Sequence, residues 1–341
     1  MTAGGGRAGY VVRRLGQAVL VLWAAFTVTF VILYLLPSDP VSIMLAGGQG
    51  GEQSTADPAQ VAALRAEHGL DDPLPVQYAH ALWRTLHLDL GNSIQNGAPV
   101  TTLIRGAVPQ TSVLAASSFL LALVLGVGIA LASTAVHRSW LRTSLQALPP
   151  LGVSLPTFWV GLLLVQAFSF RLPVFPALGD EGPASLVLPA VTLAVPVSAS
   201  IAQVLARSLR TALAEPYVET ARAKGASRSR VHLRHALRNA AIPTLTLGGI
   251  IVGNLLAGAV VVETVFSRVG VGRLTVTAVK GQDIPLVQGL VLLAATVFVV
   301  TNLVVDLLLP WVDPRLRVVG AGASRRRTRS GGGRVLVGGA A

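Results

Sequence analysis

The chain has 341 residues, of which 52% are hydrophobic and only 12% are charged. Soluble domains carry about 25% charged residues, so this composition argues against a soluble fold and for a membrane protein. The absence of cysteine excludes disulfides, zinc–thiolate sites and thiol nucleophiles. The formal charge of +12 fits either a nucleic-acid-binding groove or a membrane protein with basic cytoplasmic loops.

The first apolar segment covers residues 15–36, after a predicted cytoplasmic tail at residues 1–14. It carries no charge, and as a helix it would extend about 33 Å, enough to cross a hydrocarbon core of about 30 Å. A cleavable signal peptide has an apolar stretch of only about 7–15 residues. A twin-arginine export signal is the other alternative, because Arg13 and Arg14 precede the segment. The five apolar spans that follow favour a transmembrane helix.

Residues 37–107 are predicted to form an extracytoplasmic lobe. Prolines and glycines near its start break the first helix. Between residues 37 and 100 the chain has seven acids and only two bases, Arg65 and Arg84. Residues 58–68 and 76–88 are predicted to form short amphipathic helices in this lobe.

Five further apolar spans are predicted within residues 108–311. Several contain proline or glycine, which membrane helices tolerate where neighbouring helices or water satisfy the freed backbone groups. With the first span they predict an all-α membrane protein of six transmembrane helices, whose N and C termini share one side. The predicted spans are residues 108–136, 145–170, 186–206, 243–262 and 286–309.

The distribution of charge predicts which side is cytoplasmic. Residues 1–14, 137–144, 207–242 and 312–341 together hold 20 of the 27 bases and 3 of the 15 acids. Such an excess of Lys and Arg is typical of cytoplasmic loops, so both termini are predicted to be cytoplasmic. Because the bases lie in separate loops without interleaved aromatics, nucleic acid is not an expected partner. The tail beyond residue 320 is predicted to be disordered.

The cytoplasmic loop at 207–242 has the most informative pattern. Pro216 suits the first turn of a short helix, and Gly225 suits the left-handed position that ends one. Ser227 can cap a second, basic helix at 228–241, which leads into the span at 243. Tyr217, Val218 and Ala221 share one side of the first helix and would suit a groove on a partner. The alternative is an ordinary basic loop lying beside the membrane surface.

The residues of this loop carry a resemblance. Glu219-Thr-Ala followed by Gly225 resembles the "EAA" loop of bacterial ABC importer permeases, and residues 217–243 are similar to the dipeptide, oligopeptide and nickel branch. Thr220 departs from the alanine of the general motif, as is common in this branch. The resemblance extends over roughly residues 10–317 through shorter matches, which include Arg13-Arg-Leu, Pro37-Ser-Asp-Pro, Gly69-Leu-Asp, Asp89-Leu-Gly, Glu263-Thr-Val-Phe, Gly270-Val-Gly-Arg, Asp283-Ile-Pro-Leu and Asp313-Pro-Arg.

This resemblance implies a type I ABC importer permease fold in the bacterial or archaeal cell membrane. It implies that the loop is a coupling helix that docks on a separate ATPase subunit. It also implies a second permease subunit, two ATP-binding subunits, an extracytoplasmic solute-binding protein and a peptide-type solute that crosses the bilayer. The residues implied in coupling are Tyr217, Glu219, Thr220, Ala221 and Gly225.

The sequence itself lacks the residues of an ATPase or another enzyme. A P-loop needs a lysine followed by Ser or Thr, whereas both lysines, Lys224 and Lys280, are followed by glycine. Gly270-Val-Gly is too short for a dinucleotide-binding glycine pattern. ATP is therefore expected to bind only to partner subunits, and no cofactor is expected. His232 and His235 lie three residues apart without a nearby carboxylate, so no metal site is predicted.

Polar residues inside the spans are candidates for lining a solute path, and interhelical hydrogen bonding is the competing role for each. Asp306 is the acid that lies well inside an apolar run near the cytoplasmic end, and a structural pair or a hydrated acid is favoured there over an ion relay. An ion-gradient-driven secondary transporter is the alternative function, and a non-transporting membrane scaffold is a further one. The candidate lining residues are Ser154, Thr157, Ser198, Gln203 and Asn254, with Ser117 and Ser118.

Overall fold

The computed structural model describes residues 5–35, 41, 62 and 71–312. The helix predicted at 58–68, much of the predicted lobe and the tail beyond residue 312 lie outside these residues. In chain order the helices are α1 (Gly5–Leu35), α2 (Leu74–Leu86), α3 (Val100–Ala135), α4 (Ser139–Ser154), α5 (Thr157–Val165), α6 (Ala184–Leu213), α7 (Pro216–Ala223), α8 (Leu237–Thr246), α9 (Gly248–Val265), α10 (Val271–Lys280) and α11 (Ile284–Val312).

Four helices are long and apolar enough to cross a membrane unbroken: Val12–Leu33 within α1, the whole of α3 and α6, and Ile284–Asp306 within α11. Two further candidates are bent pairs. Ser139–Ser154 and Thr157–Arg171 meet at 104°, and Arg228–Thr246 and Ile250–Val265 meet at 56°. The described residues therefore contain between four and six spans, depending on whether each bent pair crosses.

Long-range contacts indicate how each bent pair runs through the molecule. At one end of the molecule, hydrogen bonds join residues 93–94 to 283 and residues 179–185 to 268. We call residues 88–100, 179–185 and 263–284 the hydrogen-bonded end. At the other end, side chains from 130, 205–212 and 236–240 form one buried apolar cluster. We call this the basic end, because the arginine-rich loop at 207–242 lies there. The chain passes between these ends from 135 to 179 and again from 240 to 263, so the course of both bent pairs is consistent with the predicted six spans, of which four are unbroken candidates.

The helix boundaries differ from the sequence-based prediction where polar residues extend a helix beyond the apolar run. α3 begins at Val100, inside the region predicted as lobe, and α6 continues to Leu213. α2 agrees closely with the helix predicted at 76–88. The sequence predicts a span that begins at Pro243, whereas this proline lies inside α8.

α6 is the central helix, because its buried side chains face α3, α4, α5, α8 and α9. The approach of α3 to α6 depends on Gly126. A Cβ atom at this position would lie 2.8 Å from the Cβ of Ile201 and 2.8 Å from the carbonyl oxygen of Ser198. Glycine therefore permits the backbones of the two spans to come together, as small residues commonly do between membrane helices.

The hydrogen-bonded end is held by the buried carboxylate of Glu263 at the end of α9. Oε1 accepts a hydrogen bond of 2.6 Å from the Thr111 hydroxyl on α3, and Oε2 accepts one of 3.1 Å from the backbone N–H of Arg273 on α10. The Thr111 hydroxyl oxygen in turn accepts from the N–H of Val271 at 2.8 Å. A buried carboxylate needs such partners, and here they join three helices.

Two other buried charges fix the loops around this carboxylate. The Arg268 guanidinium donates to the carbonyl oxygens of Gly179 and Ser185, both at 3.2 Å. The Asp283 carboxylate accepts from the Ser93 hydroxyl and from the backbone N–H of Ile94 at 3.2 Å. The connections before α3, before α6 and before α11 are therefore tied together at one end of the molecule.

Replacing Gly126 with alanine should destabilise the contact between α3 and α6. The added methyl group requires the backbones to separate, and overpacking of this kind typically costs about 1–3 kcal/mol. Gly128 lies two residues along the same helix, where an added Cβ meets nothing within 4 Å. In thermal unfolding of the detergent-purified protein, Gly126→Ala should lower the midpoint while Gly128→Ala leaves it nearly unchanged. Equal midpoints for the two variants would contradict the close packing described here.

Candidate functional site

The loop between α6 and α8 contains the short helix α7, and both of its ends have defined backbone geometry. Glu215 is extended before the helix, and Pro216 occupies its first turn. At the other end Gly225 has φ of +81°. The N–H of Gly225 donates to the Arg222 carbonyl oxygen at 2.9 Å, and that of Ala226 donates to the Ala221 carbonyl oxygen at 3.0 Å. These are the two hydrogen bonds of a Schellman motif, so the predicted left-handed cap is confirmed.

The basic segment after Gly225 begins as the sequence predicts and then departs from a regular α-helix. The Ser227 side chain accepts a hydrogen bond from the N–H of Arg230 at 3.4 Å, as expected for an N-cap. Val231–Ala236 then form a π-helical turn before α8. The wider turn buries Val231 and Ala236 completely. Turns of this kind inside helices are often found at functional positions.

The orientation of α7 differs in part from the one suggested by the sequence. Val218 is 1% exposed, Tyr217 and Ala221 are half-buried, and α7 packs against the π-helical turn. The side predicted to enter a partner's groove therefore also holds α7 to its own chain. The exposed side carries Glu219 and Thr220 with Arg222, Ala223 and Gly225.

A basic concavity of about 1130 Å³ lies beside α7, between the end of α6 and α8. Arg207, Arg234 and Arg238 line it together with a single carboxylate, that of Glu215. Tyr217 also reaches this concavity, and its buried hydroxyl has no hydrogen-bond partner among the described residues. The surface next to α7 is therefore cationic and favours anionic groups.

The serines predicted to line a path hydrogen-bond to their own helices. Ser198 is buried against α3 and donates to the carbonyl oxygen of Val195 at 2.8 Å, and Ser118 is buried and donates to that of Leu114 at 2.6 Å. The exposed Ser154 donates to the carbonyl oxygen of Pro150 at 2.8 Å. Ser117 also bonds to Leu114. This geometry favours a packing role for the two buried serines.

Three other candidate lining residues face outward or lie at a break. Gln203 on α6 and Asn254 on α9 are exposed amides within spans. Thr157 is half-buried and begins α5 directly after the bend at Pro156. An amide that faces outward from an apolar span is unfavourable against lipid, so Gln203 and Asn254 remain the better candidates for a polar path.

Asp306 has a structural partner, which is one of the two interpretations that the sequence analysis favours. Its Oδ2 lies 2.7 Å from Nη2 of Arg14, and both side chains are partly shielded from solvent. This ion pair joins the start of α1 to the end of α11. The hydrogen-bonded end has three buried charges, those of Glu263, Arg268 and Asp283. Glu263 and Asp283 begin two of the sequence matches, and Arg268 lies between two matches, but the sequence does not assign their partners. A charge at the edge of an apolar run is the available signal.

Comparison with known proteins gives matches over most of the sequence. Residues 122–318 match the family described as binding-protein-dependent transport system inner membrane component, and residues 8–115 match the N-terminal model of such membrane components. The chain is 36% identical over 315 residues to a putative peptide transport system permease protein of Brucella abortus, covering 90% of this chain and 98% of that one.

Glutathione transport system permease proteins are similarly close. The one from Pectobacterium atrosepticum is 37% identical over 308 residues, and the one from Salmonella typhimurium is 36% identical over 308 residues. Each comparison covers 90% of this chain and 98% of the relative. The several apolar helices and the close match over nearly the whole length agree, and the chain belongs to the family of binding-protein-dependent transport system inner membrane components, the multi-pass permeases of ABC importers.

Proposed function

We propose that this chain is one of two homologous permease subunits in an importer of peptides or related solutes, and that α7 couples it to separate ATP-binding subunits. Two ATPases and an extracytoplasmic solute-binding protein complete the assembly. Membership of the permease family supports the general role. The names of the relatives, which refer to peptide and glutathione transport, support the solute class.

The geometry of α7 is the observation that supports coupling most directly. The Schellman motif fixes one end of the helix, and the buried side chain of Val218 fixes it to the body of the protein. Its exposed side is left for a partner. A helix held this firmly can pass a displacement at its surface to α6 and α8 without first deforming, which is what mechanical coupling requires.

An ion-gradient-driven transporter receives less support from the same residues. Such transporters use acids near the middle of the membrane. In the described spans Asp306 is paired with Arg14 near one end, and each carboxylate oxygen of Glu263 accepts a hydrogen bond near the other. The energy source is therefore proposed to be ATP hydrolysed by partner subunits.

The proposed orientation places the basic end in the cytoplasm, because that end holds the arginine-rich loop. The natural chain has no cysteine, so single-cysteine variants can be labelled directly in intact cells. A membrane-impermeant maleimide should label Val269→Cys, at the hydrogen-bonded end, before the cells are opened. Ala226→Cys should be labelled only after they are opened. The reverse pattern would overturn the orientation.

Substitution of Gly225 tests whether the shape of α7 matters for coupling. At φ of +81° a β-branched side chain is strongly disfavoured, whereas asparagine adopts this region readily. In the complete importer reconstituted in liposomes, Gly225→Val should lose most ATP-driven uptake of a labelled dipeptide or of glutathione, while Gly225→Asn retains it. An added Cβ meets nothing within 4 Å, so a loss would reflect backbone strain rather than a clash. Normal uptake by Gly225→Val would contradict the proposal.

Charge reversal on the exposed side of α7 tests whether this side contacts the ATPase. Glu219→Arg should weaken co-purification of the ATP-binding subunits about tenfold, equivalent to about 1.4 kcal/mol. Arg142→Glu is the matched control, because Arg142 is exposed at the same end but lies on α4. Equal recovery of the ATPase with both variants would show that α7 is not the contact.

A further inference from the structure

Helix α2 presents three distinct faces along its length. Successive residues of a helix are separated by about 100°, so residues three or four apart share a face. The first face contains Tyr78, Leu82 and Thr85, which are all partly buried. The Tyr78 hydroxyl lies 2.8 Å from the Thr27 hydroxyl, and its ring lies 5.3 Å from that of Phe30. This face attaches α2 to the transmembrane helix α1.

The second face is apolar and exposed. It contains Val76, Ala79, Trp83 and Leu86, which recur at helical spacing. Trp83 is 66% exposed and Leu86 is 70% exposed. Large apolar side chains in a row on one face of a helix indicate a surface that is covered in the native environment.

The third face is polar and also exposed. His80 and Arg84 lie on it at the same spacing, and so does His87, which directly follows the last residue of the helix. The Arg84 guanidinium donates a 3.0 Å hydrogen bond to the Asp89 carboxylate just beyond the helix, and this lowers the pKa of Asp89. The basic side chains His80, Arg84 and His87 thus share a face of their own, which points away from α1 and lies about 90° around the helix from the apolar face.

The attachment to α1 sets the depth of α2. Thr27 lies six residues before the end of the apolar span Val12–Leu33, which corresponds to about 9 Å along a helix. A groove of about 460 Å³ between the helices is lined by Trp23, Thr27, Phe30 and Val31 of α1 and by Leu74, Pro75 and Tyr78 of α2. All four α1 residues belong to the apolar span, so α2 packs beside the membrane-spanning part of α1.

We propose that α2 lies in the surface of the bilayer, with Val76, Ala79, Trp83 and Leu86 among the lipid acyl chains and His80, Arg84 and His87 toward headgroups and water. Helices that lie in an interface bury an apolar face about 5–10 Å deep at the boundary of headgroups and acyl chains. Tryptophan and tyrosine favour this boundary, and Trp83 and Tyr78 occupy it here. The occupant of the exposed apolar face is therefore phospholipid of the adjacent leaflet.

A lipid-bound α2 also has a consequence for the residues that follow it. The helix is held on one side by α1 and on another by the bilayer, so it would fix the chain shortly before the start of α3. That attachment would keep the loop at Ser93 and Ile94 in position to bind the Asp283 carboxylate.

The neighbouring residues Ala79 and His80 provide a matched test, because both are exposed but lie on different faces. Each is replaced by cysteine and labelled with a nitroxide in the complete importer, reconstituted in phosphatidylcholine–phosphatidylglycerol liposomes without the solute-binding protein. Oxygen concentrates in the bilayer, whereas a nickel chelate stays in water. We expect the label in Ala79→Cys to collide several-fold more with oxygen than with the chelate, and the label in His80→Cys to show the opposite preference.

Leu86→Cys and His87→Cys repeat the comparison about two turns further along α2, so that one poorly folded variant does not decide the result. Preferential access of the chelate to both Ala79→Cys and Leu86→Cys would show an apolar face in water and would overturn the proposal. Protection of both from oxygen and from the chelate would show that a protein subunit covers this face and would overturn it too. Both outcomes can be read whether or not α7 couples to an ATPase.

Discussion

The buried carboxylate of Glu263 is the constraint around which the hydrogen-bonded end is organised. It accepts hydrogen bonds from Thr111 and from the backbone of Arg273, and these bonds hold α3, α9 and α10 together. Gly270 has to be glycine for the same reason, because an added Cβ would collide with the Glu263 carboxylate. What resembles part of a nucleotide-binding glycine pattern is a backbone that makes room for a buried charge.

α6 connects this end of the molecule with the candidate coupling site. The first turn of α6 includes Ser185, whose carbonyl oxygen accepts a hydrogen bond from Arg268. The last residue of α6, Leu213, lies just before the first residue of α7, Pro216. A helix of 30 residues extends about 45 Å. Because α6 is also the most enclosed helix, a displacement at α7 would reach the hydrogen-bonded end along one continuous element. The proposed coupling therefore has a direct structural route.

The spans are predictable because a run of about 20 apolar residues has few alternatives to crossing a bilayer. The breaks within the spans are not predictable in this way, because the effect of a proline on a helix depends on the residues that pack around it in the fold. Pro156 separates α4 from α5 at a bend of 104°, whereas Pro189 and Pro196 lie inside the continuous helix α6. α6 stays one continuous helix with neighbours on several sides, and a single sequence does not contain the information on those neighbours.

The candidate site is likewise predictable only where the signal is local. A left-handed glycine and a capping serine depend on a few adjacent residues, and Gly225 and Ser227 have the expected conformations. Which side of α7 faces outward depends on the π-helical turn it packs against, so the sequence places Val218 toward a partner although it is buried. Serines in membrane helices pose the same difficulty, since each can bond to its own backbone, as Ser198 does.

The ion pair of Arg14 and Asp306 shows how an unfavourable residue can be informative about topology. A carboxylate in a span is costly unless a cation neutralises it, and the nearest bases in sequence lie in the tail that follows α11. The structure instead pairs it with the first helix, more than 290 positions away. Since α1 has much of its surface exposed, this pair supplies a polar contact between the outermost helix and the end of the last span. The same pairing requires both helices to have their charged ends on one side, which agrees with an even number of crossings.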